Sequence, residues 1–314
     1  MGEHLIEPLG EFSLEAASIF AGGFAAGIGG GTATETALVM AFPLEPARGA
    51  SGGWSHSAAV ELRQPIPDGP VHARITTGGD EAAALAQAAR CVSLDHDGRD
   101  WPAVGERDPV IGRLQRDFGW LRPVCFYSAF EAATSFVIGQ RTSRAQAARV
   151  KARLAQLAGD ELELDGVKHR AFPRPERLLE LESMPGLSDV KVERLRGLAE
   201  AAIDGRLHTG TLRSLPPSEA LAQLRRLRGV GEFTAQGTLL RGCGLADELP
   251  DDALSDEVLA TMYAPVLARG ATREAITERW RPYRMWATVL LRVGWGRQAG
   301  SGASYRRDNG ARRS

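Results

Sequence analysis

The sequence predicts a mainly α-helical protein preceded by a small α+β module built on an antiparallel sheet. Three observations carry that prediction. From Asp108 onward, apolar residues recur at helical spacing in successive segments, most of them joined by short turns marked with Gly or Pro. The first hundred residues instead hold short β-prone runs separated by Pro, Gly and Asp, followed by one alanine-rich helix. The charge also changes along the chain. Residues 1–120 hold 8 Arg+Lys against 16 Asp+Glu, residues 121–241 hold 19 against 14, and residues 242–314 hold 11 against 9.

In the first module, Phe12-Ser13-Leu14-Glu15 opens a short helix with Ser13 placed to cap it. A glycine-rich stretch, Gly22 to Gly31, has no Lys-Ser/Thr after it and no strand before it, so it is expected to be a flexible loop and not a phosphate cradle. Strands are expected over Thr36–Phe42, Ala59–Gln64 and Val71–Thr76, with a helix over Asp80–Arg90 packed across them. Helices then follow over Pro109–Phe118, Ser128–Ile138, Ser143–Ala158, Pro175–Ser183 and Val190–Ile203. Five more cover Pro217–Leu227, Phe233–Arg241, Asp252–Tyr263, Thr272–Trp280 and Pro282–Trp295. The domain boundaries expected are 1–105 for the α+β module, 106–296 for the helical region and 297–314 for a disordered basic tail.

Composition narrows the function classes. With 43% hydrophobic and 25% charged residues the chain is an ordinary globular one. No apolar run approaches the ~20 residues of a membrane span. Glu3, Glu7, Glu11 and Glu15 give the N-terminus the wrong charge for a signal peptide, so a cytoplasmic, nucleoid-associated protein without membrane contact is expected. Cys91, Cys125 and Cys243 are odd in number and far apart, and the six histidines are scattered. Neither a disulfide framework nor a metal site is expected, and no cofactor. Only Lys151, Lys168 and Lys191 among the 38 basic residues are lysines, and an arginine-dominated basic region suits bidentate phosphate contacts.

Three segments carry chemistry. In Leu227-Arg228-Gly229-Val230-Gly231-Glu232-Phe233-Thr234 one helix ends, two glycines turn, and a second helix begins. Glycines admit a close approach, and the free N–H groups of the second helix suit an anion such as a phosphate. An ordinary tight turn has the same sequence. In Leu249-Pro250-Asp251-Asp252 a carboxylate sits at a helix start, where it is more often an N-cap than a catalyst. In Ile138-Gly139-Gln140-Arg141-Thr142-Ser143 two helices break at a polar elbow.

Together and in this order, from about Arg113 to Trp295, these segments resemble the helix-hairpin-helix DNA glycosylases, and among them the bacterial inducible 3-methyladenine DNA glycosylases. Glu278-Arg279-Trp280-Arg281-Pro282-Tyr283-Arg284 matches that family's Trp-x-Pro-aromatic-Arg stretch. The resemblance implies all-helical hairpin domains behind the α+β module. It also implies an enzyme that flips an alkylated purine nucleotide out of double-stranded DNA and hydrolyses its glycosidic bond. Asp252 takes the catalytic role, with Asp251 as its capping neighbour. Gln140, Arg141, Thr142, Ser143, Arg228, Gly229, Val230, Gly231 and Thr234 take the DNA contacts. Tyr127, Phe233 and Trp286 take the base pocket. A monomer is expected.

Departures from the family pattern shape the expectation. Phe233 stands where strand-cleaving relatives carry a nucleophilic lysine, and no lysine follows Lys191, so a monofunctional enzyme is expected. Arg228 replaces the hairpin proline, Arg141 the hydrophobic wedge and Arg292 a pocket tryptophan. The altered pocket leaves two alternatives: a glycosylase for deaminated or mismatched bases, and a non-catalytic damaged-DNA-binding protein. Asp252 argues against the second, because a pure binder has no use for a carboxylate facing anionic DNA.

Overall fold

Period-2 alternation decides the first module. In the computed structural model, which describes residues 2–23, 37–49, 53–66 and 68–298, strands β1 (Gly2–Ile6), β2 (Ala37–Pro43), β3 (Ser57–Arg63) and β4 (Val71–Thr77) form an antiparallel sheet in the order β1-β4-β3-β2. Leu38, Met40 and Phe42, Ala58, Val60 and Leu62, and Val71, Ala73 and Ile75 share one face. On that face lie α1 (Leu14–Gly23) through Leu14 and Ala17, and α2 (Glu81–Cys91) through Ala84, Ala88 and Cys91. Ser13 caps α1 as expected, its Oγ accepting from the Ala16 N–H at 3.1 Å. Gly22 and Gly23 of the expected glycine-rich loop belong instead to α1, and Arg297 and Gln298 of the expected tail to the last helix, Arg284–Gln298; the rest of that loop, Thr36 of the first expected strand and the rest of the tail lie outside the described residues.

The helical part begins with α3 (Trp101–Arg107) and α4 (Pro109–Asp117) and continues with α5 (Ala129–Gly139) and α6 (Arg144–Ala158). A hairpin absent from the sequence reading follows: β5 (Glu161–Leu164) and β6 (Val167–Arg170), in register Leu164↔Val167. Leu164 and, partly, Leu162 pack on Val39 and Ala59, so the hairpin covers the second face of the sheet. This explains why β2 is apolar on both faces, and why Ser57 and Glu61 on the second face of β3 are buried.

Then come α7 (Pro175–Leu179), α8 (Asp189–Ile203), α9 (Thr209–Ser214), α10 (Pro217–Arg225) and α11 (Glu232–Gly237). Helix α7 stops short of the expected Ser183, ahead of Pro185 and the positive-φ Gly186. Helix α11 runs into a π-helical turn, Thr238–Gly242, where one continuous helix is expected. The chain closes with α12 (Ala253–Met262), α13 (Ala264–Leu267), α14 (Arg273–Glu278) and α15 (Arg284–Gln298).

Two apolar cores support these helices. One gathers α5, α6, α8 and α10 around Phe130, Leu154, Leu195 and Leu224, and reaches back to Trp54 of the first module. The other gathers α3, α4, α12, α14 and α15 around Trp101, Trp280 and Trp286. Asp108 is buried in the latter. It caps α4 and accepts from the Tyr263 hydroxyl at 2.8 Å and Trp280 Nε1 at 3.0 Å, so its charge is spread over several donors.

Candidate active site

The elbow forms where α5 ends and α6 begins. Ser143 caps α6 by accepting from the Gln146 N–H at 3.3 Å. Between the helices Arg141 adopts φ 52°, a left-handed conformation that costs a non-glycine residue about 1 kcal/mol or more. Its side chain is exposed, and no hydrogen bond or ion pair among the described residues engages it. The turn is held from behind. Lys191 donates to Ile138 O at 2.7 Å and to Thr142 Oγ1 at 2.8 Å, and burial together with Arg194 lowers the Lys191 pKa. Gln140 Nε2 donates to Gly229 O at 3.0 Å while its Oε1 accepts from Arg194 at 2.7 Å. Elbow and hairpin are therefore one unit joined by a glutamine.

The two hairpin glycines do different work. Gly229 has φ 84°, and a Cβ there would lie 2.4 Å from Arg194 Cδ, so the fold itself requires glycine. A Cβ on Gly231, at φ −87°, would meet nothing within 4 Å. The space beyond Gly231 is open, and no side chain caps α11 there. Val230 and Thr234 are buried, which leaves their backbone, not their side chains, for an outside partner. Arg228 is exposed and pairs with Glu193.

Asp252 is the N-cap of α12, with φ −146° and ψ 147°. Its Oδ1 accepts from the Ser255 N–H at 3.0 Å, and its Oδ2 accepts from the Ser255 hydroxyl at 2.9 Å and from the Arg292 guanidinium. The expectation that Asp251 caps this helix is corrected. Asp251 is exposed, its side chain caps nothing, and its backbone N–H donates to Gln236 Oε1 at 2.8 Å. Partial burial pushes the Asp252 carboxyl up. The Arg292 charge, the Ser255 amide and hydroxyl and the Arg292 hydrogen bond together outweigh it and hold the pKa below the ordinary value. Asp252 is thus an ionised carboxylate at neutral pH, at a helix start that favours negative charge.

The expected pocket aromatics separate. Phe233, on the first turn of α11, is 60% exposed and meets Phe136 edge to face at 5.6 Å, presenting a free aromatic surface. Tyr127 is 1% exposed and stacked on Phe42 in the sheet core. Trp286 is fully enclosed by Trp101, Tyr283 and the Arg122 guanidinium. Both are core residues in this structure, and the pocket role expected of them is withdrawn: a ring covered on its faces cannot receive a base.

Two residues link the site: Gln236, which the sequence did not single out, and Arg292, expected there only as the replacement of a pocket tryptophan. Gln236 of α11 ties the hairpin helix to the Asp251 backbone, and Arg292 of α15 holds Asp252. Gln236 lies four residues after Glu232, and its Nε2 donates to Glu232 Oε1 at 3.2 Å, a helical spacing that could have placed it on that face. Among the described residues no group of His, Cys, Asp or Glu is placed to hold a metal ion, and no helix is long and apolar enough to cross a membrane.

No family model matches the chain. Over 230 residues it is 33% identical to DNA-3-methyladenine glycosylase 2 of Escherichia coli (strain K12), covering 70% of this chain and 76% of that one. Over 210 residues it is 28% identical to DNA-3-methyladenine glycosylase of Bacillus subtilis (strain 168), covering 63% and 67%. Among solved structures, the 3-methyladenine DNA-glycosylase from Archaeoglobus fulgidus has the same fold. It superposes with a TM-score of 0.69 at 20% identity over 93% of this chain and 97% of that one.

Proposed function

The chain belongs to the DNA-3-methyladenine glycosylase family, and from that premise we propose that it removes alkylated purines from double-stranded DNA by hydrolysis at Asp252, without cutting the strand. The carboxylate at the α12 N-terminus carries this reading. It is ionised, partly shielded, and tied through Asp251 and Gln236 to the hairpin helix. An alkylated purine is cationic and leaves readily. The C1′–N bond breaks with its electron pair going to the base, which departs neutral, and positive charge develops on the sugar. A carboxylate near C1′ stabilises that charge and orients the water whose oxygen then adds there. The water's proton passes to solvent or to Asp252, and the product is an intact abasic strand.

Three features support the strand-sparing chemistry and the docking. Every lysine is engaged: Lys151 with buried Glu131 at 3.1 Å, Lys168 with Glu161 at 2.7 Å, Lys191 with the elbow. None is placed as a Schiff-base nucleophile beside Phe233. Open space at Gly231 and uncapped N–H groups at the start of α11 suit a backbone phosphate. Arg141, exposed at the elbow tip, suits the gap left by an extruded nucleotide, and the exposed ring of Phe233 suits stacking on the base. Residues 1–105, acidic overall, stay off the DNA and brace residues 106–296 as a monomer. The nucleoid is then the place of work.

A second reading, removal of deaminated or mismatched bases, rests on one observation. Arg292 puts a cation beside Asp252, where a neutral base is tolerated better than a cationic one. Base release measured on duplexes carrying 3-methyladenine, 7-methylguanine, hypoxanthine or uracil decides between them. Release of the two methylated purines is expected. Release of hypoxanthine or uracil alone overturns the alkylpurine assignment.

A further inference from the structure

The Asp252 carboxylate is one corner of a closed triangle. Ser255 donates to it twice, through its N–H at 3.0 Å and its hydroxyl at 2.9 Å, and Arg292 Nη2 donates both to Asp252 Oδ2 and to Ser255 Oγ. Arg292 reaches in from the third turn of α15, which packs against α12. The two charged side chains are only 22% and 16% exposed, and Arg292 Nε is buried without a partner among the described residues. A guanidinium buried with one nitrogen unsatisfied is held there by its carboxylate.

We propose that Arg292 is a positioning residue, which together with Ser255 locks Asp252 in one rotamer and supplies its countercharge. The inference rests on the reading of Asp252 as the catalytic carboxylate. The remaining charges nearby are spoken for. Arg273 of α14 pairs with Asp256 at 3.0 Å and donates to Pro250 O at 3.3 Å, Asp251 is exposed, and α13 carries no charged side chain. Among the described residues no other cation near α12 replaces Arg292.

Burial alone raises the Asp252 pKa, and the Arg292 charge is the largest of the contributions that, with the Ser255 hydrogen bonds, together outweigh it. With a depressed pKa the active, ionised carboxylate persists into and below the ordinary carboxylate range and is lost only as pH falls through the depressed value. Without Arg292 less opposes the burial contribution, the pKa rises, and the acid limb of activity moves to higher pH.

The test is single-turnover base release from a duplex containing 7-methylguanine, followed from pH 7 to pH 4. Wild type, Arg292→Met, Arg292→Lys and Asp252→Asn are compared, with duplex affinity recorded at each pH. The rate of Arg292→Met relative to wild type is expected to stay nearly level down to pH 5 and to fall severalfold by pH 4, towards the roughly tenfold limit that a shift of about one pKa unit sets. Arg292→Lys, which keeps the charge, should track wild type more closely, and duplex affinity should show no such trend. A rate ratio that stays constant with pH overturns the inference. Should Arg292→Met fail to hold the duplex, Arg292→Gln, which keeps a donor and removes the charge, is read on the same scale. Asp252→Asn separates the two claims. If it retains release, the catalytic reading itself fails; if it is inactive while the ratio is flat, only the role of Arg292 does.

Discussion

Replacing Asp252 with Asn dissects three roles that meet in one side chain. Asn caps helices about as well as Asp, so the bond from the Ser255 N–H survives the change. The ion pair with Arg292 does not. Removing one partner of a fully buried pair costs about 3–5 kcal/mol, because the other charge is left uncompensated. This pair is 16% and 22% exposed, so water recovers part of the loss and about 1–3 kcal/mol is expected. In a chain of this size that lowers Tm by roughly 2–10 °C. Asp252→Ala should lose a further ~1 kcal/mol, the cap. Asp251→Asn should change stability by less than about 0.5 kcal/mol, since its exposed side chain caps nothing. Thermal and urea unfolding of Asp252→Asn, Arg292→Met and the double variant read the coupling directly. The double variant should recover about 1–2 kcal/mol of the summed single losses while base release stays abolished. Additive losses, within about 0.3 kcal/mol, would refute the pair on which the electrostatic argument stands.

Three further outcomes are expected. Gly231→Val should leave thermal stability near wild type, because its side chain enters open space, yet weaken every duplex alike in gel-shift titrations at two salt concentrations. Gly229→Ala, at φ 84° and against Arg194, should instead destabilise the fold by about 1–3 kcal/mol; equal behaviour of the two variants would sink the division of labour. Arg141→Ala should slow single-turnover release from paired lesions more than from bulged ones, with initial binding little changed, and equal slowing of both contradicts a role in extrusion. Borohydride should trap no enzyme–DNA adduct, since each lysine is already engaged; a trapped adduct or strand nicking refutes the strand-sparing chemistry.

Much of the fold was legible because burial repeats at the period of the backbone. Leu38, Met40 and Phe42 alternate because one face of β2 meets α1 and α2, and each expected helix from Pro109 on has a counterpart within a few residues. The β5–β6 hairpin was readable in principle. Asp165-Gly166, both at positive φ, form the tight turn that joins Glu161-Leu162-Glu163-Leu164 to Val167. Its strands are only four residues long, and their partner face lies about a hundred residues upstream, so beyond that turn no local pattern announces it. At the site, spacing located the elbow, the hairpin and the paired aspartates. It could not tell which aspartate caps α12, because two carboxylates at a helix start are chemically alike until the backbone fixes one at the cap. Tyr127 and Trp286 are aromatics beside the right motifs, and only the packing of Phe42, Trp101 and Tyr283 reveals them as core. Arg292 lies forty residues from Asp252 along the chain, and its partnership exists only once α15 packs on α12.

Whether the Asp252 carboxylate drives base loss is read from single-turnover release of 7-methylguanine by wild type and Asp252→Asn on one duplex. Wild type should yield free base and an intact abasic strand, and Asp252→Asn a rate lower by at least about a hundredfold. Duplex binding by the variant should be equal or tighter, because a negative charge facing phosphate is gone and Arg292 is released. Release by Asp252→Asn within tenfold of wild type, with the duplex bound equally well, would contradict a driving role for the carboxylate.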